Sequence, residues 1–251
     1  QRGVEHAVGE APFVVVPGAD LDQLAAGDLG QRIFQTPFSW ASLGVQIRGR
    51  SHSLRVNYRT SHQIRSQADR LLDQKVSDVD GNIEDRFGTV SVFNGARPSI
   101  VVFDDETAEQ NGVADWIRRV IEDGVSPGEI GVFVRTEDEV LRAKEAVIAA
   151  GLDFKVLDTK SESIQSHVTI STMHLAKGLE FRVVVVMACD DEVIPSQARI
   201  EEVTDQSDLD EIYNTERHLL YVACTRARDE LLVCCTGPGS EFLDDLTNTD
   251  F

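Results

Sequence analysis

Glycine is never followed by lysine in this 251-residue chain: Lys75, Lys144, Lys155, Lys160 and Lys177 follow Gln74, Ala143, Phe154, Thr159 and Ala176. That excludes a G-x-x-x-x-G-K-[ST] loop, in which backbone amides and a lysine cradle nucleotide phosphates. "FVVVPGAD" has the strand of an acidic metal-holding pair but lacks the Asp-Glu. Basic residues are few, 24 against 43 acidic, for a net charge of −19. Coating nucleic acid at large needs a basic surface, so that class is excluded, while a local basic site is not. The four cysteines, Cys189, Cys224, Cys234 and Cys235, form no C-x-x-C pair. Three lie in apolar runs, and the expectation is reduced core residues of a cytoplasmic protein. No apolar run reaches the ~20 residues of a membrane-spanning helix, and no secretory leader is visible. The six histidines are scattered without metal-ligand spacing and there is no nucleophile elbow, which leaves an unrelated parallel α/β enzyme without support. The first residue is Gln1, which points to a fragment or a processed product.

What is present is an alternation of apolar runs and helical patterns. Val14–Val16, Ser53–Asn57, Val90–Phe93, Ile100–Phe103, Ile130–Val134, Val168–Ser171, Val183–Met187 and Leu231–Cys235 read as strands. Between them, 61–75, 106–122, 137–150 and 209–227 read as helices, the third ended by Gly151. In 106–122, Val113, Trp116, Ile117 and Val120 share a face; in 209–227, Leu209, Ile212, Leu219, Leu220, Ala223 and Ala227 do. Continuous Val/Ile runs alternating with helices indicate a parallel sheet covered on both faces, an α/β fold. Residues 81–95 and 201–208 read as surface loops.

Acidic residues are missing altogether from residues 29–68, a window with Arg32, Arg48, Arg50, Arg55, Arg59, Arg65, His52 and His62. At the overall acid frequency such a gap has a chance on the order of one in a thousand. It reads as a surface that meets a polyanion, or as arginines paired with acids elsewhere in the fold. Phe34, Phe38, Trp40 and Tyr58 fall in the same window, where aromatic rings either stack on bases or fill the core. A second basic spot lies at "TRAR", where Arg226 sits between a helix and a buried strand. An arginine there either grips an anion bidentately or compensates the helix dipole. The connection within "VTISTMHLAKGLEFRVVVV" carries His174, Lys177 and Glu180 between two buried strands, and Gly178 there allows close backbone approach to a ligand.

Together these segments resemble the UvrD/Rep-type superfamily 1 DNA helicases. "GDLGQRIF" looks like motif III, "LRVNYRT" like motif IV, "TISTMHLAKGLEFRVVVV" like motif V and "ERHLLYVACTRARDEL" like motif VI, in the family's order. The resemblance implies a RecA-like domain, of the P-loop NTPase type but without its own P-loop: the second (2A) motor domain. It implies ATP with Mg2+ between two RecA-like domains, the metal held mainly by the first, N-terminal one, which is missing here. Carried over by motif, Gln31 senses the γ-phosphate, Tyr58 stacks on the adenine, Arg59 contacts the γ-phosphate, Glu180 bonds the ribose beside Gly178, and Arg226 is the arginine finger. Trp40 would stack on a base, and Thr172 and His174 would touch the backbone of single-stranded DNA. Arg228 is expected to pair with a nearby acid. Motif III departs from the family, reading QRIF for QSIY, with "TPFSWASLG" after it.

The expected organisation is residues 1–52 as the end of the first RecA-like domain or a linker, and 53–251 as the second. The short stretch between Lys155 and Val168 leaves the inserted 2B domain reduced or absent. The expected function is the C-terminal motor half of an ATP-dependent DNA helicase or translocase, moving 3′ to 5′ and inactive as an ATPase alone. Its partners are single-stranded DNA and the N-terminal domain, with no membrane. The alternative is a degenerate RecA-like module that binds protein partners.

Overall fold

The computed structural model describes residues 56–72, 75–77, 83–85, 90–157 and 166–247. Gln31, Trp40, the strand expected at Val14–Val16, and Arg32, Arg48, Arg50 and Arg55 lie outside them.

Among the described residues the main sheet has six strands, all parallel: β5 (Ser99–Phe103), β6 (Ile130–Val134), β7 (Phe154–Val156), β8 (Val168–Thr172), β9 (Phe181–Val186) and β10 (Ala227–Thr236), numbered after four short strands, β1 (Val56–Asn57), β2 (Lys75–Ser77), β3 (Ile83–Asp85) and β4 (Val90–Ser91). Their spatial order is β5-β10-β9-β6-β8-β7. Among the described residues six helices accompany them: α1 (His62–Ala68), α2 (Glu106–Glu122), α3 (Val140–Ala149), α4 (Gln197–Glu201), α5 (Gln206–Cys224) and α6 (Phe242–Thr247). Side chains alternate across the pleat with period two. Val184 and Val186 of β9 join Leu231, Val233 and Cys235 of β10 in the core under α1, α5 and α6. Val183 and Val185 join Leu232 and Cys234 in the core under α2 and α3. This is the three-layer, RecA-like arrangement expected of a doubly covered parallel sheet.

Helix α2 spans the expected residues because Asp105 caps it, accepting from the Ala108 N–H at 2.8 Å. Gly151, at φ +77°, follows α3 in the left-handed conformation that ends a helix. All four cysteines are free and buried.

Several boundaries differ from the sequence reading. The segment expected as a helix to about residue 75 is helical only to Ala68, continues as a 3-10 turn over Asp69–Leu71, and gives way to β2. The supposed loop at 81–95 contains β3, antiparallel to β2, and β4, parallel to β1. Polar, glycine-rich sequence hid β3, because three residues are too few to show a period, whereas β4 lies within the strand expected at Val90–Phe93. Helix α5 stops at Cys224 rather than at residue 227, since Arg226 leaves the helix and β10 begins at Ala227, four residues before its apolar run. β10 is long enough to serve two neighbours, β5 along Leu232–Thr236 and β9 along Ala227–Val233.

Candidate functional site

Three segments far apart in sequence meet where β9 and β10 begin. After β1, Asn57 Oδ1 accepts from the backbone N–H of Arg59 (2.8 Å) and Thr60 (3.3 Å), an Asx turn that reverses the chain. The turn projects Tyr58 outward, 73% exposed. Arg59 Nε lies 2.9 Å from Glu180 Oε2, both side chains 46% exposed. An ion pair so open to water contributes about 0–1 kcal/mol, so either member can exchange its partner for a ligand at little cost. Thr60 and Ser61 point inward: Thr60 Oγ1 donates to the Thr225 carbonyl (3.4 Å), and the Ser61 N–H to the Arg228 carbonyl (3.0 Å). The Phe181 N–H donates to the Arg226 carbonyl at 3.0 Å, which ties the start of β9 to that of β10. Gly178 holds φ +84°, a conformation other residues adopt only with strain, and a Cβ built there would meet open space. Tyr58, Arg59, Gly178 and Glu180 thus share one exposed rim with donors, an acceptor and an aromatic face. The arrangement fits a sugar, a base and an anion.

Arg226 occupies the same junction but points inward, 1% exposed. Its Nε donates to the Val222 carbonyl (3.0 Å), Nη1 to the Leu179 carbonyl (3.3 Å) and Nη2 to Thr225 Oγ1 (3.4 Å). Val222 O belongs to the last turn of α5, whose carbonyls have no intrahelical partner, so the guanidinium caps the helix in this conformation. Thr225 Oγ1 donates in turn to the Tyr221 and Val222 carbonyls at 2.9 and 3.1 Å. Arg228 is exposed, 3.3 Å from Asp229 Oδ1 and 6.0 Å over the Phe93 ring.

Thr172 and His174 lie at the opposite end of the sheet, where β8 ends. His174 is in a 3-10 turn, Met173–Leu175, anchored by the buried Met173. Arg135, directly after β6, is 4% exposed and grips the fully buried Glu216 of α5 with Nε (2.5 Å) and Nη2 (2.6 Å). Arg199 Nη1 reaches the same carboxylate at 2.9 Å. Arg135 Nη1 faces His174 Nδ1 at 3.4 Å. Burial, and next the Arg135 charge, push the His174 pKa down to about 4, so the ring is neutral at pH 7. A further buried set closes this end on the other face: Arg142 Nε meets Glu109 at 2.5 Å, its Nη1 meets Asp190 at 2.6 Å, and the Ala188 N–H donates to Glu109 at 3.1 Å.

Sequence reasoning named neither Arg135 nor Glu216. The signal was there: Glu216 is four residues from Ile212 and four from Leu220, inside the apolar stripe of α5, and Arg135 directly follows five apolar or glycine strand residues. A charge placed in an apolar stripe needs a partner. Among the described residues no three of His, Cys, Asp and Glu cluster as metal ligands.

Residues 156–237, which hold the β8–β9 connection, α5 and all of β10, match the family model of the UvrD-like helicase C-terminal domain. Over these residues, about a third of its length, the chain is similar to that family. It is similar to the ATP-dependent DNA helicase PcrA of Bacillus subtilis (strain 168), 36% identical over 99 residues, 39% of this chain and 12% of PcrA. It is also similar to the ATP-dependent DNA helicase UvrD1 of Mycobacterium tuberculosis (strain H37Rv), 37% identical over 91 residues, 35% of this chain and 11% of UvrD1. The aligned stretch is thus about a tenth of each relative. Its fold is similar to the crystal structure of the C-terminal domain of a possible DNA helicase from Lactobacillus plantarum WCFS1, with a TM-score of 0.53 over 76% of this chain and 95% of that one, at 22% identity. Within the matched residues fall Thr172, His174, Gly178, Glu180 and Arg226; Tyr58 and Arg59 reach them from outside through the bonds of Arg59, Thr60 and Ser61.

Proposed function

We propose that this chain supplies the second motor domain of an ATP-dependent DNA helicase or translocase. In that reading, one rim completes a nucleotide site shared with an N-terminal RecA-like domain, and the opposite strand ends touch single-stranded DNA. The observation that carries the proposal is the convergence of Tyr58–Arg59, Gly178–Glu180 and Thr225–Arg226 at the start of β9 and β10. ATP with Mg2+ supplies phosphoryl transfer to water as the energy source. Tyr58 offers a ring for the base, Glu180 an acceptor for a ribose hydroxyl, and Arg59 a charge for phosphate once it parts from Glu180. Arg226 needs to leave the Val222 and Leu179 carbonyls to act as an arginine finger, a role worth about 10³–10⁵ in rate where measured. Docking of the N-terminal domain is the event that would draw it out. Gln31 and Trp40 join the nucleotide and DNA sides by motif. The few residues between Val156 and Val168 support a reduced or absent 2B insertion.

The chain alone is expected not to hydrolyse ATP, and adding a separately expressed N-terminal RecA-like domain with single-stranded DNA is expected to give DNA-stimulated turnover. Arg226→Lys, which keeps the charge and loses the fork, should cut that turnover at least a hundredfold while the melting temperature is followed in parallel. Turnover by the chain alone, or undiminished turnover with Arg226→Lys, would sink the reading. The inward Arg226 favours a second reading, a RecA-like module that binds protein partners and has lost nucleotide work; no turnover in the mixture would favour it.

A further inference from the structure

The Arg135–Glu216–Arg199 set lies outside the rim that meets nucleotide, and nothing in the motif resemblance assigns it a role. It is costly to build. Arg135 and Glu216 are 4% and 0% exposed, and taking two charges from water costs several kcal/mol per ion before their attraction is counted. A fold gains little stability from such a pair over an apolar one of similar volume, so its geometry is the feature to explain.

That geometry ends on His174. Arginine has five N–H donors and no acceptor. The contact of Arg135 Nη1 with His174 Nδ1, 3.4 Å, is therefore a hydrogen bond only if Nδ1 is the acceptor and carries no proton. A neutral imidazole with bare Nδ1 has its proton on Nε2. Glu216 holds the Arg135 guanidinium by two of its nitrogens, Nε and Nη2, at 2.5 and 2.6 Å, and this fixes where the third one, Nη1, points. Arg199 takes up the remaining capacity of Glu216 Oε1 at 2.9 Å and holds the carboxylate from the solvent side. Three elements are locked in this way: the end of β6 through Arg135, α5 through Glu216, and the turn after β8 through His174.

We infer that Arg135 is a positioning residue, held in plane by Glu216 and Arg199, that fixes His174 as the Nε2–H tautomer and so sets which ring nitrogen donates. The further step, that this donor faces a DNA phosphate, rests on the DNA-contact reading of His174 proposed above. A lysine could not do this work. It is a point charge without a planar fork and cannot grip Glu216 and aim at His174 in one fixed geometry.

Two measurements on the 251-residue chain test this. Long-range proton–nitrogen NMR of chain labelled with 15N-histidine reads the tautomer directly at pH 7. The expected wild-type pattern has Nδ1 unprotonated and Nε2 protonated, while Arg135→Lys gives a mixture of both tautomers. A wild-type ring protonated on Nδ1, or an Arg135→Lys ring with an unchanged pattern, overturns the inference whatever the variant's stability. The second readout is the affinity for a fluorescein-labelled oligothymidylate, by anisotropy. Arg135→Lys and His174→Ala are each expected to weaken binding about tenfold, and the double variant no more than either alone, since both remove one oriented donor. Penalties that add in the double variant overturn the positioning role. A wild-type chain that binds no oligonucleotide overturns the DNA-contact reading instead, and the tautomer result then decides the positioning by itself.

Discussion

At the scale of single residues, two kinds of side chain make this molecule: those whose place is set by volume and those whose place is set by charge. Gly131 is of the first kind. It is the second residue of β6, and a Cβ there would come within 2.6 Å of the Phe181 ring. That ring is itself pinned edge-on against Phe133, with centroids 5.9 Å apart, and it is buried at the start of β9, next to the junction that holds Arg226. The ring cannot swing away without opening the core, so Gly131→Ala is expected to destabilise the fold by about 1–3 kcal/mol, the usual cost of overpacking. Chemical denaturation checks it. A variant as stable as wild type would mean that Phe181 has room that the packing does not show. Arg226 is of the second kind. The choice that the sequence left open, anion grip or helix compensation, is resolved in this conformation toward α5, because the last-turn carbonyls are the nearest acceptors.

At the scale of elements, α5 joins the two ends of the sheet. Its N-terminus is capped by Asp205, which accepts from the Ser207 and Asp208 N–H groups at 2.9 and 3.0 Å. Its middle carries Glu216, and its C-terminal carbonyls hold Arg226. Removing Glu216 alone strands Arg135 in the interior with no carboxylate opposite. Glu216→Leu is therefore expected to cost about 3–5 kcal/mol. The double change Arg135→Met with Glu216→Leu should recover most of that loss, because no buried charge is then left without its partner and Arg199, 40% exposed, turns back to water. Melting and denaturant curves for the single and double variants check it, and a double variant no more stable than Glu216→Leu would show that the pair contributes net stability. This element also marks the limit of what the sequence disclosed. The apolar stripe of α5 was legible, as were α2 and the central strands, since each repeats its period often enough to be read. Its C-terminal boundary was not, because Thr225 and Arg226 act through tertiary bonds to Thr60 and Leu179, and no local pattern encodes those.

At the scale of the whole molecule, the parallel α/β fold followed from apolar runs alternating with helices, and the motifs pointed to the neighbourhood of Tyr58, Arg59, Gly178 and Glu180, but not to the inward turn of Arg226. Strand order did not follow, nor did the buried ionic sets, because partners such as Arg135 and Glu216 are 81 residues apart. Those sets give the fold a dependence on pH whose sign can be worked out. An unfolded His174 takes up a proton near pH 6.5, whereas the folded ring, buried and facing Arg135, does so only near pH 4. Between those values the unfolded chain binds more protons, so stability falls as the pH drops through that window. Glu109 acts in the opposite sense. Burial raises its carboxyl pKa above the usual 4.5, so the folded state binds the extra proton just above that value, and its contribution weakens as the pH rises. The two effects overlap, and comparison with a variant separates them: His174→Gln removes the first and leaves the second. The melting temperature of the wild type is expected to drop between pH 6.5 and 4 by several degrees more than that of His174→Gln, on the order of what ~1 kcal/mol produces in a domain of this size. Equal slopes in the two proteins would mean that His174 titrates alike in the folded and unfolded chains, and that Arg135 does not bear on its ring.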